Sequence, residues 1–173
     1  MPLKKRSNSL KQPDNVVGFH SQSQATESIQ GAFDRLGTLM PPVSVVIITQ
    51  NEADNIRNAL ESVQWADDII VVDSGSTDDT IQIAKQFTDR IVSHKWTGYG
   101  AQKNYGASLA THDWILSLDA DEQLSSALTK EIHSLLENEP TVRGYRMPRV
   151  THYLGQWIRT TDWYPDYQLR LYD

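Results

Sequence analysis

The sequence predicts an α/β fold, a mostly parallel sheet with helices on both faces. Three observations predict it. Apolar runs rich in β-branched residues alternate four times with segments of helical periodicity. The runs are continuously apolar instead of alternating in and out, as expected of strands covered on both faces. Each helical segment is long enough to return the chain for a parallel crossover.

Pro41 and Pro42 punctuate the chain, and "VSVVIIT" follows as the first strand. "NEADNIRNALESV" places Ile56, Ala59, Leu60 and Val63 at helical spacing, with Asn51 as a candidate cap and Asp54 among the early acids. "DIIVVD" is the second strand. "STDDTIQIAKQF" is the second helix, with Ser76 and Asp79 spaced as a capping pair. "RIVSH" is a short third strand, Gly100–Ala110 a helix of small residues, and "WILSLD" the fourth strand. "SSALTKEIHSLLEN" forms another helix, with Leu128, Ile132, Leu135 and Leu136 on one face, before "GYRMPRV" resumes extended structure. Residues 1–40 are rich in Ser, Gln and Asn and read as a polar, disordered tail with a short helix near Ile29–Leu36; residues 41–173 read as the folded domain.

Charge and composition exclude several classes. The net charge is −6 over 173 residues, but residues 41–142 hold sixteen acids and six bases, while both flanks are net basic. That acidic centre argues against general nucleic-acid binding, which needs a basic face. No cysteine is present, so there is neither a disulfide framework nor a thiolate metal site. No apolar run approaches the roughly 20 residues of a membrane span, and no apolar segment follows the basic start as in a secretory signal. The reading is cytoplasmic. Lys4, Lys5, Arg6 and Lys11 read first as part of a solvated tail, since patches that bind an anionic membrane well usually carry more charges, with a peripheral contact at the inner face of the membrane as the alternative.

In open parallel sheets, ligands bind beyond the carboxyl ends of the strands. The polar groups that matter are therefore "TQNE" (49–52), "DSGSTDD" (73–79) and "DADE" (119–122), which should converge on one rim. Asp119 and Asp121, one residue apart, suit Mg²⁺ or Mn²⁺, hard cations that take oxygen ligands and keep water and substrate phosphates in their shell. Asp73 ends a strand before a tight turn in which Gly75 permits positive φ, and it is placed to accept from a nucleobase or ribose. A response-regulator receiver needs its acid pair after the first strand, as does a haloacid-dehalogenase-type phosphatase its nucleophile; this chain has "TQNE" there. His94, His112 and His133 read as structural. Trp157, Trp163 and Tyr164 are either sugar-stacking or core aromatics, and Arg170 either contacts an anion or pairs with a nearby Asp.

The ordered segments "VSVVIITQNEADNIRNALESV", "DIIVVDSGSTDDT" and "AQKNYGASLATHDWILSLDADE" resemble the family 2 inverting glycosyltransferases of GT-A fold. With "WYPDYQLRLY" after the acids, the resemblance is strongest to bacterial lipopolysaccharide-core glucosyltransferases. The resemblance implies a UDP-sugar donor, a saccharide or glycolipid acceptor, and Mg²⁺ or Mn²⁺. It implies that Thr49, Asn51 and Glu52 line the nucleoside pocket, that Asp73 contacts the base, and that Lys103 and Asn104 lie near the phosphates. It further implies that Asp119 faces the ribose and the metal, and that Asp121 is the direct metal ligand. Such enzymes usually continue past this point, where their general base lies; Asp166 is the best remaining carboxylate for that role. On this reading the chain is C-terminally truncated, with the strands flanking "YQLRLYD" missing and an exposed edge or apolar patch prone to self-association. A non-catalytic domain that binds nucleotide-sugar or a partner is the alternative.

Overall fold

The structure, a computed structural model, describes residues 40–173. The expected tail, its short helix and its basic cluster lie outside the described residues. Six strands form one sheet: β1 (Val43–Thr49), β2 (Asp68–Asp73), β3 (Ile91–Ser93), β4 (Trp114–Asp119), β5 (Gly144–Arg149) and β8 (Asp166–Tyr172). Their spatial order is β3-β2-β1-β4-β8-β5. The first four run parallel, while β8 is antiparallel to both of its neighbours. A separate hairpin pairs β6 (Thr151–Tyr153) with β7 (Gln156–Ile158). The fold is thus the expected mixed α/β architecture.

Every residue of β1 is buried, which is why five of its seven residues are Val or Ile, with Ser44 and Thr49 the polar exceptions near its two ends. One face of the sheet packs against α1 (Ile56–Glu61), α2 (Thr80–Ala84) and α4 (Ser126–Glu137), with Ile56, Leu60, Ala84, Leu128, Ile132 and Leu136 in the same core as Val45, Ile47, Leu116 and Leu118. The other face carries Val46, Ile48, Ile70 and Val72 beneath Tyr105 and Leu109 of α3 (Tyr99–Ser108). Gly106 lets α3 lie against the strands: a Cβ there would stand 2.3 Å from Val46 Cγ1.

Three expectations are corrected. The first helix begins only at Ile56, and Asn51 does not cap it; Asn51 adopts φ 54° and its Oδ1 accepts from Thr77 N at 2.7 Å, across the rim. Ser76 and Asp79 do not cap α2; Ser76 N and Oγ both donate to Asp73 instead. The "YQLRLYD" strand is not an unpaired edge, because β8 lies between β4 and β5. In contrast, Ser125 does cap α4, accepting from Leu128 N at 3.2 Å, and Gly75 takes the positive φ (94°) its turn requires.

At the opposite end of the sheet from the site, Asp68 pins four segments. Its buried carboxylate accepts from Ser44 Oγ at 2.8 Å, from Thr111 N at 3.1 Å and Oγ1 at 2.9 Å, and from Arg90. Burial pushes the Asp68 carboxyl upward, but the donors from Arg90, Ser44 and Thr111 outweigh it and hold it below the ordinary aspartate range. Its stabilising contribution is therefore fully present above about pH 4 and lost as pH falls through the depressed value. Arg90 is 42% exposed, so the ion pair itself adds little; loss of the acceptor shared by the buried Ser44 hydroxyl and the two Thr111 donors dominates. Asp68→Ala is expected to cost about 2 kcal/mol in urea unfolding at pH 7, with the difference from the parent shrinking below pH 4. A difference independent of pH from 7 to 3 would contradict this account.

Candidate functional site

The parallel register aligns three strand ends. Thr49 lies opposite Asp73, and Ile48 opposite Asp119, so the polar residues that follow β1, β2 and β4 meet on one rim. The first two loops are stitched together: Asn51 N donates to Ser76 Oγ at 2.9 Å, Glu52 N to Thr80 Oγ1 at 2.8 Å, and Ala53 N to Asp78 Oδ2 at 3.1 Å. Glu52 is half-buried and its carboxylate accepts from Asn55 Nδ2 at 2.6 Å. Thr49 Oγ1 is buried without a hydrogen-bond partner among the described residues.

Asp73 is turned into its own loop. It accepts from Gly75 N at 2.9 Å, and from Ser76 N at 3.0 Å and Ser76 Oγ at 2.5 Å. Beside it, Gln102 of α3 is fully buried, donating to Ser74 Oγ at 2.6 Å and to the His94 carbonyl at 3.1 Å. His94 in turn pairs its Nδ1 with Gln102 Oε1 and stacks on Tyr105 at 4.0 Å, the structural role expected of it.

The acidic loop is built around charges from both sides. Lys103 Nζ lies 2.8 Å from Asp119 Oδ1, and an Arg170 guanidinium nitrogen 3.1 Å from Asp119 Oδ2. Burial pushes the Asp119 carboxyl up, but the charges of Lys103 and Arg170 outweigh it and hold the group ionised well below the usual range. Asn104, the next residue along, is exposed. Arg170 pairs with an aspartate, one of the two roles its sequence allowed.

Two members of this cluster had no assigned role in the sequence reading. Glu122 is fully buried; its Oε1 accepts from Arg170 at 2.5 Å and from Arg149 at 3.2 Å, and its Oε2 from Asp119 N at 3.2 Å. Arg149 also grips Asp166, through Nε at 3.0 Å and a second nitrogen. Gln168 Nε2 donates to the other Asp166 oxygen at 2.5 Å. An arginine flanked by Leu169 and Leu171 in a strand is a sign that a buried acid awaits it, but nothing local identifies Glu122 as that acid.

Asp121 is half-buried at the tip of the same loop. Among the described residues, no group of three or more His, Asp or Glu is clustered to hold a cation by itself. The donor set fits a hard cation with one protein carboxylate, its remaining ligands coming from water and phosphate. Among the described residues, no helix is long and apolar enough to cross a membrane.

An α/β sheet with polar residues and acids gathered at its carboxyl rim defines a ligand-binding class of open-sheet proteins. Residues 44–172 match the family model "Glycosyl transferase family 2", and the chain belongs to that family. An uncharacterized glycosyltransferase of Rickettsia felis is 49% identical over 94 residues, 54% of this chain and 33% of that protein. The lipopolysaccharide core biosynthesis glycosyltransferase LpsC of Rhizobium meliloti is 32% identical over 119 residues, 66% of this chain and 44% of that protein. The chain therefore spans less than half the length of these relatives. The solved mannosyltransferase PcManGT from Pyrobaculum calidifontis, in complex with GDP-Man and Mn²⁺, superposes with TM-score 0.52 at 24% identity, over 65% of this chain and 39% of that one, and shares its GT-A fold.

Proposed function

We propose that residues 41–173 form a glycosyltransferase domain that moves a hexose from a UDP-sugar to a saccharide or lipopolysaccharide-core acceptor with inversion. The observation that carries this reading is the rim itself: three aligned strand ends, with an ionised Asp119 held between Lys103 and Arg170 and Asp121 beside it. Family membership and the likeness to LpsC support the reaction and the acceptor class.

Thr49, Asn51, Glu52 and Asp73 line the nucleoside end. Lys103, already at the acid, offers its ammonium to the phosphates, and Asp119 faces the ribose. Asp121 would hold Mg²⁺ or Mn²⁺; with both Asp119 oxygens facing cations, Asp121 is the better ligand of the pair. The ion, when bound, neutralises charge on the departing diphosphate. Asp166 is gripped by Arg149 and Gln168, an arrangement that suits anchoring better than proton transfer, since a general base needs a lone pair directed at the acceptor hydroxyl.

Calorimetric titration with UDP, GDP and ADP in the presence of Mn²⁺ tests the donor half of this reading, and hydrolysis of UDP-hexoses tests the chemistry. Failure to bind any nucleoside diphosphate would remove it. Asp73→Ala is expected to lose about 1–3 kcal/mol of UDP affinity, the range for hydrogen bonds to charged groups, and to narrow the preference for UDP over GDP and ADP. Because Asp73 also holds its own turn, selectivity is the informative readout. A uniform loss across all three nucleotides would assign it to the turn alone.

A further inference from the structure

We infer that Glu122 is a positioning residue: it fixes Asp119 and Asp121 at the rim and ties the end of β5 and the strand β8 to the same point. The argument begins with its burial. A fully buried carboxylate is costly, and well-packed apolar residues of similar volume generally serve stability as well or better. Here the carboxylate does something an apolar side chain cannot. Its two oxygens take three donors, one from each of Arg149, Arg170 and the Asp119 amide. The Glu122 amide returns a bond to the Asp119 carbonyl at 2.9 Å. The loop 119–122 is thus closed by main-chain and side-chain bonds, with Asp121 at its tip.

The side chain of Asp119 is governed from the same place. One Arg170 nitrogen serves both Glu122, at 2.5 Å, and Asp119, at 3.1 Å, so the shorter contact sets where that nitrogen can stand. On the other side, Arg149 joins Glu122 to Asp166 at the start of β8. Asp166, Arg149, Glu122, Arg170, Asp119 and Lys103 form one alternating, charge-balanced row of three acids and three bases. Glu122 is the only member that contacts two arginines within it. The end of β5 and the strand β8 are both tied to the acid loop through Glu122, by Arg149 and Arg170.

Glutamine keeps the shape but replaces one acceptor oxygen with a donor amide, which cannot accept from all three partners. The inference rests on the proposed nucleotide binding for one of its readouts and is independent of it for the other. With the full 173-residue chain, we would compare the parent, Glu122→Gln, Asp119→Asn and the double variant. UDP affinity with Mn²⁺ would be measured at a temperature where circular dichroism shows all four folded, and thermal midpoints would be measured without ligand. Glu122→Gln is expected to weaken UDP binding at least tenfold, and adding it to Asp119→Asn should weaken binding by less than threefold more. The midpoint losses should also be clearly less than additive, because the two residues act through one arginine. Parent affinity in Glu122→Gln, or fully additive midpoints, would overturn the assignment. A parent chain that binds no UDP would remove the nucleotide reading, and the midpoint cycle alone would then decide the role of Glu122.

Discussion

Asp121→Ala is expected to abolish Mn²⁺-dependent UDP binding, an effect of at least ~100-fold in affinity, beyond the usual cost of losing a group that merely supports a metal ligand. The reasoning is one of substitution. Asp119 is the nearest carboxylate on the loop, but its oxygens face Lys103 and Arg170, and Glu122 is buried among two arginines and a backbone amide. Among the described residues, no cluster of three acids or histidines stands ready to take over. UDP binding measured in chelator should be equally weak in parent and variant. Asp119→Ala should weaken binding less and destabilise more, since it leaves Lys103 and Arg170 facing one another without their shared acid. Retention of parent-like Mn²⁺-dependent affinity by Asp121→Ala would eliminate the metal site.

The fold was legible because burial on both faces leaves a run of apolar residues that needs no partner to be recognised, as in Val45–Ile48. The rim was legible because strand ends are where polar residues interrupt such runs. What escaped was everything decided by pairing across the chain. Asn51 and Ser76 have the chemistry of caps, yet each finds a partner some 25 residues away, and the loop-to-loop stitch takes precedence over local capping. The expected unpaired edge at β8 failed for the same reason: β5 reaches it from "GYRMPR", an extended segment already visible but with no local sign of its neighbour. Glu122 looked like a third rim acid because its partners, Arg149 and Arg170, lie 27 and 48 residues on. Arg170 itself could be read halfway, as a charge in an apolar strand that must meet an acid.

Gly106→Val is expected to be the most destabilising of these substitutions, by about 3 kcal/mol or more, where overpacking is severe. A Cβ at position 106 would lie 2.3 Å from Val46 Cγ1 and 3.0 Å from Val72 Cγ2. Both valines are fully buried, and a β-branched side chain in a packed sheet has little freedom to turn away. The helix must therefore lift. One turn earlier on the same face, Gln102 bonds Ser74 and His94, and the adjacent Lys103 reaches Asp119, so lifting α3 would disturb both ends of the rim at once. UDP affinity should fall together with stability. Gly106→Ala separates helix propensity from packing. In an open helix the change would stabilise by about 1 kcal/mol; here the clash should outweigh it and give a net loss of about 1 kcal/mol. If Gly106→Ala instead raised the urea midpoint and left UDP binding intact, close helix–sheet contact at Gly106 would not be what holds Lys103 against Asp119.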